Sequence, residues 1–134
     1  MSELDPVRAF LKERGCPEHV ISGGLKGLME NWERVVDSVD AGYDLTLDDY
    51  LNDLDSRQLL EEALAFAPKD QRQRHLERLE QVDAWMQRLV KPAGKCLWGE
   101  DVARAEGWAP EKNWWYFSRP IDGDPDFIAE IDEI

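Results

Sequence analysis

The chain has 134 residues, an apolar fraction of 43% and six tryptophans, which are typical of one globular domain and argue against a disordered chain. No stretch reaches the roughly 20 apolar residues that a membrane helix needs, and the N-terminus lacks the pattern of a signal peptide. We therefore expect a cytoplasmic protein with no membrane partner. The net charge of −13 at pH 7 argues against a nucleic-acid partner, because phosphate binding needs a concentrated basic face.

The first forty residues predict two helices. Ser2 and Pro6 fit the start of the first helix, and Gly15 fits its end. Apolar residues then recur at spacings of three and four until Gly42, which predicts a long amphipathic helix. The stretch SGGLKG at 22–27 interrupts this helix, since each glycine costs a helix interior about 1 kcal/mol. Either the helix breaks there or another helix approaches closely, and we favour the break.

The third block, residues 43–67, begins with a capping box in which Thr46 is followed by Asp49. An apolar stripe starts there but fails in the middle of the block. The polar residues that interrupt it are Arg57, Gln58 and Glu61. Asp55 and Gln58 also offer a second cap, so the pattern predicts two helices, over about 47–54 and 56–67, joined at a bend.

After Pro68, residues 69–91 carry a regular helical stripe that ends before Pro92 and Gly94. The segments KCLW (95–98) and WWYFSR (114–119) are short, aromatic and bounded by helix breakers, so each is predicted as a strand. Between them, residues 100–107 predict one or two turns of helix.

The chain closes with a predicted helix over 124–134, in which Asp124 is the cap and Pro125 the first helical residue. Its apolar face must dock on its own domain or on a partner, which leaves a homo-oligomer through this helix as an alternative. In total we predict a mainly α single domain of five to seven helices, with a small two-stranded antiparallel pair near the C-terminus. Residues 1–94 form the helical core, and 95–134 form an aromatic-rich closing segment and an acidic helix.

No metal, cofactor or catalytic site is predicted. Cys16 and Cys96 form no CxxC pair and fall at spacings unrelated to the two histidines, so zinc is set aside and both are expected to be buried thiols. The acids of 122–133 resemble the spacing of a calcium loop, but Phe127 stands where that loop needs glycine. No nucleophile motif is present, and nothing in the sequence argues for an enzyme.

The acidic residues are unevenly distributed. Residues 42–67 hold seven acids and one base, a net charge of −6, and the last fourteen residues hold six acids and no base. Such segments favour a basic protein as partner, because complementary fields speed encounter. The alternatives are a capped and solvated helix start, or a metal or acid/base site. The residues we assign to the partner-binding surface are Asp44, Asp48, Asp49 and Asp53.

The four consecutive aromatics at 114–117 are either core or binding surface. In an extended strand, Trp114 and Tyr116 would face one way and their neighbours Trp115 and Phe117 the other. One face is then expected in the core, and the other is a candidate contact surface. Large aromatics and arginine dominate binding energies at interfaces. The predicted contact anchors are Trp115, Phe117 and Arg119; the alternative is an aromatic pocket formed by Trp98, Trp108, Trp114 and Tyr116.

The segments GYDLTLDDYLNDLDSRQLLEEAL and CLWGEDVARAEGWAPEKNWWYFSRP resemble segments of small, largely uncharacterised bacterial proteins. This resemblance implies a bacterial cytoplasmic protein and assigns no activity. By size and charge the chain also looks like small acidic neutralisers, such as immunity proteins that cover a basic toxin. The sequence therefore predicts a non-enzymatic, acidic protein-binding module. The alternative is a small-molecule-binding or enzymatic domain built on the aromatic pocket.

Overall fold

Six α-helices make up most of residues 5–134, the part of the chain that the computed structural model describes. They are α1 (Pro6–Glu13), α2 (Glu18–Asp40), α3 (Leu47–Leu64), α4 (Lys69–Leu89), α5 (Glu100–Glu106) and α6 (Pro125–Asp132). Two strands, β1 (Val90–Pro92) and β2 (Ser118–Pro120), pair antiparallel, and a 3-10 helix spans Trp114–Phe117. The protein is a mainly helical single domain with a two-stranded pair near its C-terminal region, which confirms the predicted fold class. Among the described helices, none combines the length and apolar character needed to cross a membrane.

Helix α1 starts at Pro6, the proline that the sequence placed in its first turn. Asp5 is the cap, and its side chain accepts a hydrogen bond from the backbone N–H of Arg8 at 2.8 Å. The predicted cap, Ser2, lies outside the described residues. Pro6 is the first helical residue, where its missing N–H costs nothing.

Helix α2 breaks where the glycines predicted a break. Gly24 has φ 58° and ψ −151°, a conformation open almost only to glycine. The Arg8 guanidinium donates to the carbonyl oxygens of Ile21 and Ser22, at 3.3 and 3.1 Å, and so satisfies acceptors next to the break. A Cβ on Gly23 or Gly27 would meet no atom within 4 Å, and one on Gly24 would meet the Arg8 side chain at 3.5 Å, an ordinary van der Waals distance. The structure therefore favours the break over the alternative of a close helix approach.

Helix α3 runs without interruption, so the predicted bend between residues 54 and 56 is wrong. Its predicted capping box is present: the Asp49 N–H donates to Thr46 Oγ1 at 3.1 Å, and the Thr46 N–H donates to Asp49 Oδ2 at 3.1 Å. The prediction failed at Arg57, which was expected to end the buried face. Arg57 is instead buried in the core.

A group of five side chains, which we call the Arg57 cluster, makes that burial possible. Arg57 donates through Nε and Nη2 to the two carboxylate oxygens of Asp83, at 3.1 and 2.8 Å, and through Nη1 to Glu61 at 2.9 Å. Trp32 Nε1 also donates to Asp83, at 2.9 Å. The guanidinium lies over the ring of Trp115, 4.1 Å from its centroid. Buried charge is tolerated when it is paired and hydrogen-bonded, which explains how Arg57 can lie in the core. The residues of the cluster come from α2, α3, α4 and the 3-10 helix, so the cluster joins these four elements.

The strands pair as predicted in type but not in position. β1 follows α4 directly, and its residues Val90 and Pro92 stand opposite Pro120 and Ser118. The predicted strand at 95–98 is an irregular turn, so that assignment is wrong. Of the predicted strand at 114–119, residues 114–117 form a 3-10 helix and 118–119 lie in β2, so only its last two residues were placed correctly. Prolines cannot donate to a ladder, and the pair is therefore short.

Helix α6 docks on its own domain. Its buried Phe127 lies 4.7 Å from the ring of Tyr43 and 5.4 Å from that of Tyr50, centroid to centroid. Ile131 is buried as well, and the Asp124 N–H donates to the Tyr43 carbonyl at 2.9 Å. Much of the apolar face on which the homo-oligomer alternative rests is therefore used within the same chain.

Candidate functional site

Three carboxylates follow one side of α3. Asp48, Asp55 and Glu62 are seven residues apart on this continuous helix. A helix drifts by only about 20° over seven residues, so the three side chains project from the same side over about 21 Å of helix length. Asp48 is exposed, whereas Asp55 and Glu62 are half-buried. We call these three residues the acidic row.

The acidic C-terminal helix lies beside the start of this row. Glu130 of α6 accepts a hydrogen bond from the backbone N–H of Leu47 at 3.4 Å, and Tyr43 forms a bridge with Gly123. The two acidic segments that are far apart in the sequence are therefore neighbours at the N-terminus of α3. Negative charge is favourable at a helix N-terminus, which offsets part of their mutual repulsion.

The four predicted acidic residues separate into two kinds. Asp44 and Asp48 are exposed. Asp49 is exposed too, but it is held by the capping box, and hydrogen bonds from Thr46 lower the pKa of its carboxyl. Asp53 is half-buried and accepts a hydrogen bond from the Tyr43 hydroxyl at 2.6 Å; its burial raises the pKa of its carboxyl. Two of the four thus also serve the fold.

The predicted division of the aromatics at 114–117 is wrong because the segment is a 3-10 turn and not a strand. Trp115 and its neighbour Tyr116 are both buried, while Trp114 and Phe117 are half-buried. Trp115 is only 2% exposed and its ring is covered by Arg57, so it belongs to the core and is not a contact anchor.

The other two predicted anchors, Phe117 and Arg119, do not line the cleft that Asp55 and Glu62 line. Phe117 lines a second groove of about 660 Å³ together with Trp108 and Pro110. Arg119 is half-buried and donates to Asp132 of α6 at 2.6 Å. The structure therefore does not bring these two residues together with Asp44 and Asp48 through any described contact.

A cleft of about 730 Å³ opens where the acidic row meets the C-terminal segment. Three of the four aromatics of the predicted alternative pocket line it, namely Trp98, Trp108 and Tyr116, whereas Trp114 does not. The polar and charged residues that line it are Arg14, Asp55, Gln58, Glu62, Glu106, Lys112 and Asn113. A concave aromatic site with converging polar groups is the usual form of a binding site.

Asp55 connects the aromatic wall to α3. Its Oδ1 accepts hydrogen bonds from Trp98 Nε1 at 3.0 Å and from the Tyr116 hydroxyl at 2.6 Å. The Trp108 ring stacks on the Tyr116 ring, with centroids 3.8 Å apart and planes 13° from parallel. Burial, together with the hydrogen bond to Asp55, raises the pKa of Tyr116, so its hydroxyl stays protonated and fixes one carboxylate oxygen.

A second chain of hydrogen bonds fixes the other polar groups. Asn113 is buried; its Nδ2 donates to Gln58 Oε1 at 2.9 Å, and its Oδ1 accepts from the Ala109 N–H at 3.1 Å. Gln58 Nε2 in turn donates to Glu62 Oε2 at 3.3 Å. Arg14 Nη1 donates to Glu62 Oε1 at 2.6 Å. These hydrogen bonds hold the polar side chains of the cleft in fixed positions relative to one another.

Sequence reasoning missed the polar half of the cleft. Asp55 and Gln58 were interpreted as a helix cap, but both lie inside α3 and bind residues of the C-terminal segment. The seven-residue spacing of the acidic row was a usable signal, although only for a helix predicted as continuous. Asn113 left no such signal, because its partner Gln58 is 55 positions away.

Cys16 and Cys96 differ in burial. Both are free thiols; Cys96 is buried, which raises its pKa, and Cys16 is half-buried beside the cleft. Within residues 5–134, no three His, Cys, Asp or Glu side chains are arranged to hold a metal ion.

The chain is a small, mainly helical protein with an acidic row along α3 and a cleft lined by aromatic residues. The chain matches no protein-family model, no curated protein and no solved structure. The function must therefore follow from the geometry and charge of the site and not from the fold.

Proposed function

We propose that the protein is a non-enzymatic module that binds a basic protein partner, and that the acidic row and the cleft form one contact surface. The observation that carries this proposal is that the acidic row leads along α3 into the cleft. It starts at the exposed Asp48 and continues through Asp55 and Glu62, which line the cleft. A partner lying along α3 would thus contact exposed charge first and then the aromatic cleft.

The charge of the chain supports a basic partner. The total is −13 at pH 7, and the two most acidic segments meet at the start of α3. A concentrated field of one sign accelerates association with a partner of the other sign and fixes its orientation. Exposed charges act over about 8–10 Å at physiological salt, so binding of this kind is strongly salt-dependent.

The cleft supplies what charge alone does not, namely apolar contact area at the centre of the interface. Trp98 is 36% exposed and Trp108 is half-buried, so both indoles have surface left to cover. Tryptophan is among the residues that contribute most when they are buried at an interface. Exposed carboxylates around them would form the polar rim.

By size and charge the chain looks like small acidic neutralisers, such as immunity proteins that cover a basic toxin. We assign this protein to the same functional type. The assignment rests on size, charge and the acidic row, and it requires no chemistry at the cleft.

Tagged co-purification from the native cell, washed at low and then high salt, tests the proposal. A basic protein retained at low salt and released at high salt is expected. Asp48→Lys should abolish its retention, whereas Asp37→Lys, the same charge change at an exposed position on α2, should keep most of it. Equal retention by both variants, or no basic protein at either salt, would contradict the proposal.

A second candidate function, binding of a small molecule, is favoured by one observation: the cleft is concave and lined by three of the predicted pocket aromatics. Trp98 and Trp108 would report a ligand directly by fluorescence. Saturable quenching by a fraction of native small-molecule extract, lost in Trp108→Leu, would support this function. It would replace the first proposal if no protein partner is retained.

A further inference from the structure

The carboxylates that line the cleft are not equivalent. Glu62 is already paired with Arg14, at 2.6 Å, and Glu106 is exposed. Asp55 is half-buried and, among residues 5–134, makes no ion pair. Its hydrogen-bond donors are the two aromatic side chains described above, Trp98 and Tyr116, and both bind Oδ1. The other oxygen, Oδ2, therefore retains its full capacity to accept.

The surroundings of Asp55 favour one class of ligand. A half-buried carboxylate that no cation of residues 5–134 pairs with attracts a positive group, and the indole faces of Trp98 and Trp108 attract the same group through cation–π interaction. A guanidinium suits this site better than an ammonium. It is planar, weakly hydrated and able to stack on a ring while donating sideways to a single oxygen.

We infer that the cleft receives the side chain of an arginine from the basic protein partner, with its guanidinium donating to Asp55 Oδ2 and lying against an indole. This inference rests on the proposed function, since it supplies the group that the partner inserts. It assigns separate tasks to the acidic row: Asp48 attracts the partner, and Asp55 recognises one residue of it.

The chain itself contains the same contact. The guanidinium of Arg57 lies 4.1 Å from the centroid of the Trp115 ring while it donates to the carboxylate of Asp83. That carboxylate also accepts a bond from an indole N–H, of Trp32, as Asp55 does from Trp98. This fold therefore already contains one site in which a carboxylate accepts from an indole N–H and from a guanidinium, and the guanidinium lies on a second aromatic ring. The cleft supplies the indole N–H, the carboxylate and a second aromatic face, while the guanidinium that lines it, Arg14, is paired with Glu62 and not with Asp55.

The test uses the full chain and Nα-acetyl-arginine amide as the probe, followed through the tryptophan indole N–H signals in ¹H–¹⁵N spectra. Saturable shifts are expected at the signals of Trp98 and Trp108, which are assigned from their single Phe variants. The neutral citrulline amide, which has the same shape, should bind roughly tenfold or more weakly, as should the arginine probe to Asp55→Asn. The lysine amide should bind more weakly than arginine.

Three outcomes would overturn the inference: no saturable shift, equal binding of the citrulline amide, or equal binding of the lysine amide. If Asp55→Asn unfolds the chain, Trp98→Leu provides the second variant, because it removes an indole face at an exposed position and leaves the carboxylate. Asp37→Asn, outside the cleft, should bind the probe as the unmodified chain does.

The inference and the proposed function can fail separately. Asp48→Lys should lose the protein partner in co-purification and still bind the arginine probe. If the probe binds but no basic protein is ever retained, the proposed function is wrong and the cleft assignment stands. If a basic protein is retained equally by the unmodified chain and by Asp55→Asn, the arginine assignment is wrong and the proposed function stands.

Discussion

Two charged residues, two positions apart on α3, have opposite environments. Arg57 is buried, with a side chain 4% exposed, and the chain supplies its carboxylates and its aromatic cover. Asp55 is half-buried, and its hydrogen-bond donors among residues 5–134 are the aromatic side chains of Trp98 and Tyr116. The first site contains both ions of its pair, whereas no described cation pairs with Asp55.

The difference separates a charge that serves the fold from a charge that is available to a partner. A buried ion is destabilising unless its partners are present in the native structure, so Arg57 requires Asp83. A carboxylate that water still reaches pays little for lacking a counter-ion, so Asp55 can remain open. We therefore expect changes in the Arg57 cluster to affect stability, and changes at the cleft to affect binding.

The largest effect is expected from Asp83→Ala. It leaves the guanidinium of Arg57 and the indole N–H of Trp32 without their acceptor, which should lower the free energy of unfolding by about 3–5 kcal/mol. Urea denaturation measures this. The double variant Arg57→Met/Asp83→Leu should be more stable than Asp83→Ala, because it removes both charges. A loss below about 1 kcal/mol in the single variant would contradict the assignment of the cluster to the core.

Replacing one tryptophan from each region sharpens the contrast. Trp115→Leu should cost about 2–4 kcal/mol, since it opens a cavity beside Arg57, whereas Trp98→Leu, at a residue that is 36% exposed, should cost about 1 kcal/mol or less. Thermal unfolding by circular dichroism distinguishes them. Equal losses would mean that the cleft wall is as structural as the core.

Asp55→Asn should have a small effect on stability, about 1 kcal/mol. The amide oxygen can still accept from Trp98 and Tyr116, although more weakly than a carboxylate. Asp37→Asn is the matched control and should change the free energy of unfolding by less than about 0.5 kcal/mol. A loss of about 3 kcal/mol or more in Asp55→Asn would place Asp55 with Asp83 as a structural residue.

The smallest effect is a difference in pH dependence between Asp49 and Asp53. The pKa of Asp49 is lowered from 3.8, so its stabilising contribution is present above that value and is lost as the pH falls through the folded pKa. The pKa of Asp53 is raised from 3.8, so its contribution is present below that value and is lost as the pH rises through the folded pKa.

Urea unfolding measured from about pH 3 to pH 7 tests these two signs. Asp49→Asn should flatten the loss of stability on acidification, because the group that takes up a proton on unfolding is gone. Asp53→Asn should change the slope in the opposite sense. Changes of the same sign in both variants would contradict the assigned environments.

The helices could be predicted wherever local pattern was sufficient. The break of α2 at its glycines and the Thr46–Asp49 capping box are both local, and both are confirmed. The predicted bend in α3 was wrong because an arginine normally ends the buried face of an amphipathic helix. Arg57 stays in that face because it pairs with Asp83, 26 positions later. The strands were misplaced for a related reason: aromatic residues favour strands in general, but Trp115 and Tyr116 are both required in the core.

The sequence was sufficient to predict which kinds of residue form the candidate site, but not how they are grouped in space. The sequence identified the acidic and aromatic residues as the two notable sets and assigned them to two competing sites. Three of the four pocket aromatics do line one cleft, and Asp48 lies on the same helix side as the cleft residue Asp55. Trp115 could not be recognised as core, because the residue that covers it, Arg57, comes from α3.

The sequence by itself determined the helical class of the fold, the caps at Thr46 and Asp124 and the break of α2, because these depend on residues within a few positions of one another. Only the tertiary structure decided which charges are matched and which are open. That outcome depends on partners 26 to 61 positions apart, such as Asp83 for Arg57 and Tyr116 for Asp55. A charged side chain can be buried only where the fold places counter-ions and hydrogen-bond partners around it, and these come from distant parts of the sequence.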